Sequence, residues 1–111
     1  MIPTELAERY FAAVRAKDID AFVALFAEDA HFILPGGQTF EGKDAIRETQ
    51  TKVFAAGAPF PTPLTIIAGD GGLAVEVEAR LPDGTVRRTV NLYTLAEDGR
   101  IARLSVFKQG W

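Results

Sequence analysis

Apolar residues recur at helical spacing through the first half of the chain. A first helix is predicted from the N-cap residue Thr4 to about Ala16. Asp18 precedes the next apolar repeat, and its carboxylate is expected to cap a short second helix by accepting N–H groups of the first turn. A third helix is predicted to start near Lys43 or Asp44. The predicted buried stripes of the three helices are Leu6, Tyr10, Phe11 and Val14; Ile19, Phe22, Val23 and Phe26; and Ile46, Thr49, Val53 and Phe54.

The second half of the chain changes from helical spacing to the alternation of strands. The change follows a proline-rich segment, residues 55–63, which is predicted to be a loop. Short glycine-containing turns separate the later strands, so we expect an antiparallel meander. A further short strand, residues 31–34, is predicted before a Pro-Gly-Gly stop. Helices followed by strands indicate an α+β fold. The four later strands are predicted over residues 64–68, 73–81, 86–95 and 100–109.

Composition is typical of a small single-domain protein. The chain has 111 residues, of which 48% are apolar, so one domain over residues 1–111 can bury a core without cross-links. A net charge of −3 with no long run of like charge makes nucleic acid an unexpected partner. The absence of cysteine excludes disulfides and thiolate chemistry. The sequence shows neither a signal-peptide pattern nor a membrane-length apolar stretch, so we expect a cytoplasmic protein that does not bind membranes.

Most catalytic motifs are missing from the sequence. The chain has one histidine, His31, and one serine, Ser105, and no Gly-x-Ser-x-Gly motif supports a triad between them. It has no phosphate-binding loop, dinucleotide fingerprint or His-Glu-x-x-His pair. A single histidine is a poor basis for a transition-metal site. We therefore expect neither a metal nor a cofactor.

A few polar residues remain as candidates for chemistry. His31 titrates near neutral pH and is a candidate proton carrier, although a histidine satisfied by its neighbours is the more ordinary interpretation. Glu76 and Glu78 share one face of a predicted strand, and a solvated face with arginine partners explains them better than paired catalytic carboxylates. Asn91 interrupts an apolar strand, where asparagine is uncommon. Its amide is either paired internally or available to a ligand oxygen.

Several short segments follow one another in a recognisable order and spacing. They are residues 10–14, 17–22 and 25–30 in the helical part, the Gly-basic-x-x-Ile motif within Phe40–Ile46, and the acidic-Gly-basic-Ile turn at Glu97–Ile101. Together they resemble the nuclear transport factor 2-like (SnoaL-like) superfamily over nearly the whole chain. The resemblance implies a cone-like α+β barrel, in which three N-terminal helices pack in a curved, mostly antiparallel sheet around an apolar pocket.

The same resemblance leaves more than one function open. Members of the superfamily are commonly homodimers paired through the sheet, so we expect a homodimer. They include ketosteroid isomerases, polyketide cyclases, epoxide hydrolases and dehydratases, and also binding or association domains without catalysis. The fold therefore does not by itself distinguish an enzyme from a binding module.

The resemblance to ketosteroid isomerase implies roles for particular residues. Tyr10 stands at the position of the oxyanion-binding tyrosine, and Asn91 at that of the protonated aspartate, whose hydrogen bond an amide can also donate. Leu34 stands at the position of the general base and cannot accept a proton, so the chain is not expected to be a ketosteroid isomerase of the usual kind. His31 remains a third catalytic candidate. The residues expected to contact a ligand are Val14, Phe32, Leu34 and Phe54.

The turn that precedes Asn91 decides which side chains share its face of the sheet. A two-residue turn places Glu76 and Glu78 on that face, whereas a three-residue Pro-Asp-Gly loop places Val75 and Val77 there. Proline suits the first position of the longer loop, and two carboxylates in an apolar pocket carry a heavy desolvation cost. We therefore predict the valines, with a glutamate as the replacement base if the shorter turn forms.

Two functional hypotheses follow. In the first, a small hydrophobic, oxygen-bearing molecule binds in the pocket, and Tyr10 and Asn91 polarise its oxygen in an isomerase, cyclase or lyase reaction. That reaction needs a base from His31, from a glutamate or from the ligand itself. In the second, the protein is a non-catalytic, dimeric ligand-binding or association module.

Overall fold

The computed structural model describes residues 2–57 and 59–110, which form three helices and one six-stranded sheet. Helices come first along the chain and most strands come later, as the hydrophobic pattern predicts. The elements in chain order are α1 (Pro3–Ala16), α2 (Ile19–Ala24), β1 (Phe26–Ile33), β2 (Thr39–Glu41), α3 (Lys43–Ala55), β3 (Phe60–Gly69), β4 (Gly72–Arg80), β5 (Val86–Leu95) and β6 (Ile101–Lys108).

The sheet is curved, unclosed and mostly antiparallel. Its strand order is β2-β1-β6-β5-β4-β3, so β2 and β3 are its edges. Only the pairing of β1 with β6 is parallel among the described strands. Helix α1 packs on β3 and β4, while α3 packs on β1 and β2. The α+β class and the three-helix arrangement are therefore confirmed.

The observed helix caps agree only in part with those predicted from the sequence. Helix α1 begins at Pro3 with Ile2 as its N-cap residue, so the predicted cap by Thr4 is wrong. Proline is favoured at the first helical position because it has no N–H group to leave unsatisfied there. The predicted cap of α2 is confirmed, since the Asp18 side chain accepts a hydrogen bond from the N–H of Ala21 at 3.1 Å.

Strands β1, β2 and β3 differ most from the sequence-based prediction. Strand β1 begins at Phe26, well before the predicted start, because Phe26 pairs with Ile101 of β6 across a register shift. Strand β2 was not predicted, as it is short and follows a Pro-Gly-Gly turn. Strand β3 begins at Phe60, inside the predicted loop. Its prolines are tolerated because β3 is an edge strand: it pairs with β4 on one side only, so a proline without an N–H group removes no hydrogen bond to a second neighbouring strand.

The turn between β4 and β5 is the predicted three-residue loop. The N–H group of Leu81 donates to the carbonyl of Thr85 at 2.8 Å, which closes the loop around Pro82-Asp83-Gly84. Val75 therefore pairs with Asn91, and Val75 and Val77 are buried on the inner face of the sheet. The predicted valine register is confirmed. Glu76 and Glu78 lie on the outer face, where both approach Arg88, at 3.5 and 3.8 Å.

Aromatic rings fill the end of the core where β1 and β6 begin. Phe22 of α2 is fully buried, and its ring centroid lies 5.1 Å from that of Phe26 and 5.3 Å from that of Tyr10. Ring pairs at such distances stabilise a core by about 0.5–1.5 kcal/mol beyond the area they bury. Ring packing therefore fills the core at this end. No helix in residues 2–57 or 59–110 is long and apolar enough to cross a membrane.

Candidate functional site

A cavity of about 330 Å³ lies between α1, α3 and the inner face of the sheet, near the ends of β1, β4 and β6. That volume is at the small end of the range found for small-molecule sites. Four of its lining residues carry a polar side-chain group, namely Tyr10, Gln50, Thr89 and Asn91. Its apolar wall includes Phe11, Val14, Phe32, Leu34, Val53 and Val106.

Two of the predicted catalytic residues lie in this cavity. Tyr10 follows Leu6 by four residues on the inner stripe of α1, so its side chain faces the sheet. Asn91 is the central residue of an inner-face row, between Val75 of β4 and Val106 of β6. The structure therefore brings Tyr10 and Asn91 to the walls of one cavity, from a helix and from the sheet.

A second tyrosine positions the Asn91 side chain. The amide N–H of Asn91 donates to the hydroxyl of Tyr93 at 3.1 Å, and this contact is buried. The ring of Tyr93 in turn lies 5.3 Å from that of Tyr10 in an edge-on arrangement. The amide of Asn91 has a second N–H and an oxygen that bond to no described residue, so both are available to a ligand in the cavity.

Burial raises the pKa of both tyrosines. Removal from water raises the pKa of Tyr10 well above its usual value. Desolvation also raises the pKa of Tyr93, and the nearby Tyr10 adds to this, while the hydrogen bond from Asn91 acts in the opposite direction. Both hydroxyls therefore keep their protons at physiological pH, so Tyr10, which lines the cavity, retains a hydrogen-bond donor.

No ionised side chain lines the cavity among the described residues. Leu34 occupies the cavity wall where the resemblance to ketosteroid isomerase places a base. The site has hydrogen-bond donors that can polarise a ligand oxygen, but among residues 2–57 and 59–110 it offers no carboxylate or imidazole that takes up a proton.

The remaining candidates lie in three different surroundings. Val14 and Phe32 line the cavity, as expected of ligand contacts. Phe54 is buried in the aromatic core, 6.0 Å from Phe22, and is not part of the cavity wall. His31 is exposed on the outer face of β1, where its Nδ1 lies 3.7 Å from the carboxylate Oε1 of Glu41. The outer position follows from strand alternation, because the neighbouring Phe32 points inward.

Gln50 is a cavity residue that the sequence analysis missed. It lies on α3 between the buried residues Ile46 and Phe54, four positions from each, and is 6% exposed. The predicted buried stripe of α3 contained Thr49 and Val53 instead of Gln50. These two residues lie slightly to one side of the buried row Ile46, Gln50 and Phe54. The spacing from Ile46 and Phe54 was the signal that could have identified it. No group of His, Asp and Glu in the described part of the chain has the arrangement of a metal site.

This fold is shared with known proteins. The SnoaL-like domain family matches residues 7–104. A candidate polyketide cyclase from Sinorhizobium meliloti is 25% identical with a TM-score of 0.83, over 92% of this chain and 93% of that one. SalBIII, an epoxide hydrolase/cyclase-like enzyme with a role in pyran ring formation in the polyether salinomycin, is 28% identical with a TM-score of 0.82, over 96% of this chain and 89% of its own.

Another solved structure shares the fold at lower identity. A candidate ketosteroid isomerase from Kribbella flavida is 23% identical with a TM-score of 0.85, over 96% of this chain and 77% of that one. At this identity the likeness concerns the fold alone. No curated protein matches the sequence at a significant level.

Proposed function

This chain belongs to the SnoaL-like domain family, and from that premise we propose that it binds a small, neutral, largely apolar molecule in the cavity between α1, α3 and the sheet. An oxygen atom of the ligand accepts hydrogen bonds from the Tyr10 hydroxyl and the Asn91 amide. One observation carries this proposal: a phenol and a carboxamide, both uncharged, share a cavity whose other described lining residues are apolar except for Gln50 and Thr89.

The chemistry supported by these groups is activation of a carbonyl or epoxide oxygen. Fixed donors stabilise negative charge that develops on such an oxygen, and loss of one donor typically slows a reaction by about 10²–10³-fold. With no base among the described lining residues, the ligand has to supply the proton acceptor or the nucleophile itself. Intramolecular ring closure fits this requirement, and SalBIII takes part in a ring-forming reaction.

Non-catalytic binding is the second candidate function. The observation that favours it is the apolar Leu34 at the base position, in a wall that offers no proton acceptor from the described residues. A hydroxy-epoxide that closes to a pyran ring separates the two candidates. Ring closure that is faster than in buffer and is slowed by Tyr10→Phe supports catalysis, whereas binding without acceleration supports the binding module.

Calorimetric titration with 1-tetralone, a neutral bicyclic ketone, tests the shared part of the proposal. We expect saturable binding that Tyr10→Phe and Asn91→Leu each weaken by about three- to tenfold, the effect of one lost hydrogen bond. His31→Asn is the control, because His31 lies on the outer face of the sheet. Binding that is absent, or that both cavity variants leave unchanged, would contradict the proposal.

We propose further that the outer face of the sheet pairs with a second copy of the chain. Large apolar side chains are exposed there, with Ile67 69%, Phe107 55% and Leu92 43% accessible. Glu76 and Arg88 lie on the same face, so a two-fold arrangement can set the acidic group of one copy against the basic group of the other. Exposed apolar patches of this kind on a sheet are typical of interaction surfaces.

Sedimentation velocity tests the dimer. A dimer is expected at micromolar concentration, and Phe107→Lys is expected to shift it to a monomer without unfolding, because that side chain is exposed. Ile2→Lys is the control, since Ile2 is equally exposed but precedes α1. A wild-type monomer would rule out this pairing.

A further inference from the structure

Gln50 is an unusual residue for the buried side of a helix. Its neighbours one turn away, Ile46 and Phe54, are both buried core residues, and Gln50 itself is 6% exposed. Glutamine has a primary amide with two N–H donors and an oxygen acceptor. An amide removed from water without hydrogen-bond partners is destabilising, so buried amides are nearly always paired.

The two buried amides of the cavity differ in how they are satisfied. Asn91 donates to the hydroxyl of Tyr93 at 3.1 Å. Gln50 forms no side-chain hydrogen bond with residues 2–57 or 59–110, although its side chain lines the same cavity. Asn91 is therefore partly held by the protein, whereas Gln50 presents its amide to the cavity itself.

The two amides reach the cavity from different walls. Gln50 belongs to α3, which packs on α2, β1 and β2. Asn91 belongs to β5, which is not among the strands on which α3 packs. Tyr93 links Tyr10 to Asn91, through a ring contact of 5.3 Å and a hydrogen bond of 3.1 Å, whereas Gln50 lines the same cavity from α3.

We propose that the Gln50 amide is a ligand-recognition group that hydrogen-bonds a second polar atom of the ligand, so that the site selects neutral molecules with polar groups at two ends of an apolar body. This inference rests on the proposed function, since it concerns the same cavity. Neutrality follows from the lining: no described side chain there carries a charge to pair with an anion or a cation. Burial of an unpaired charge is strongly unfavourable, so a carboxylate is rejected.

Three matched ligands test the proposal by calorimetry at neutral pH. They are 6-methyl-1-tetralone, 6-(hydroxymethyl)-1-tetralone and 6-carboxy-1-tetralone, which share one ketone and differ at the far end in polarity and charge. Wild-type protein is expected to bind the hydroxymethyl ligand about three- to tenfold more tightly than the methyl ligand, the worth of one hydrogen bond. It is expected to bind the carboxylate at least about tenfold more weakly than the methyl ligand.

Variants at Gln50 assign the preference to this residue. Gln50→Leu and Gln50→Met are expected to bind the methyl ligand at least as tightly as wild type and to lose the preference for the hydroxymethyl ligand. Both variants are expected to unfold at no lower urea concentration than wild type, because the Gln50 amide makes no hydrogen bond with a described residue that the substitution would break; a merely structural role predicts the reverse. Gln38→Leu is the control, since Gln38 is exposed and outside the cavity wall.

The outcomes separate this inference from the function on which it rests. No binding of any of the three ligands overturns the proposed function and this inference with it. Binding of the methyl ligand without a preference for the hydroxymethyl ligand, or a preference that persists in both Gln50 variants, overturns the role of Gln50 and leaves the cavity as a ligand site.

Discussion

The hydrogen bond between Asn91 and Tyr93 gives the sharpest test of how the site is built. It is buried, 3.1 Å long, and joins the proposed oxygen-binding amide to a side chain that is 1% exposed. Tyr93→Phe leaves the Asn91 N–H without this acceptor, and a buried polar group without its partner costs about 1–3 kcal/mol. Asn91 borders the cavity, so water can reach it, and we expect the lower part of that range, about 1–1.5 kcal/mol.

A double-mutant cycle isolates the bond from the packing of the two side chains. Tyr93→Phe, Asn91→Leu and the double variant are compared by urea unfolding followed by circular dichroism. Because the double variant leaves neither group unsatisfied, the coupling energy is expected to be about 1 kcal/mol, and the double variant is less destabilised than the two single effects predict. Additivity within about 0.3 kcal/mol would show that the two groups do not interact and would refute this account of the site.

Three further predictions concern the fold around the cavity. Val75→Ala is expected to lower the free energy of unfolding in urea by about 2 kcal/mol, because Val75 is fully buried. Glu76→Ala, at the neighbouring outer position, is expected to lower it by less than about 1 kcal/mol. Equal losses would contradict the register. Gly72→Ala is expected to destabilise the fold by about 1–3 kcal/mol, because an added Cβ meets the carbonyl of Tyr93. Gly71→Ala is the control and is expected to have little effect, because the space around its Cβ position is open. Comparable stability of the two variants would refute the close approach of the Gly72 and Tyr93 backbones. Burial raises the pKa of both tyrosines, which are the only two in the chain, so tyrosinate absorbance is expected to stay absent from the folded protein near pH 10. The contribution of the two tyrosines to stability is expected to be constant below about pH 10 and to fall as pH rises above it. Tyrosinate in the folded protein at its ordinary pKa would contradict their burial.

Much of the fold could be predicted from local sequence signals. The cap at Asp18 and the start of α3 at Lys43 depend on residues within one turn, and both are found as predicted. The register of Val75 and Val77 depends on one turn and on the cost of burying carboxylates, so it too could be predicted. The early start of β3 at Phe60 could not, because prolines usually mark loops and the edge position that tolerates them is a property of the whole sheet.

The candidate site could be predicted less completely. The positions of Tyr10 and Asn91 followed from the resemblance to known proteins, and both line the cavity. The bond from Asn91 to Tyr93 depends on side-chain rotamers, which a sequence pattern does not determine. Gln50 was missed because a polar residue at the edge of a predicted apolar stripe is normally assigned to the solvent side. Its burial becomes evident only when α3 is placed against the rest of the fold.

Nuclear magnetic resonance of the side-chain amides tests the central claim most directly. The chain has one asparagine and three glutamines, so four amide pairs report on Asn91, Gln50, Gln38 and Gln109. On titration with 6-(hydroxymethyl)-1-tetralone, the signals of Asn91 and Gln50 are expected to shift together and saturate with one dissociation constant, while those of the exposed Gln38 and Gln109 stay in place. Shifts confined to the exposed glutamines, or no saturable shift of Asn91 at any ligand concentration, would contradict the claim that this cavity is a small-molecule binding site.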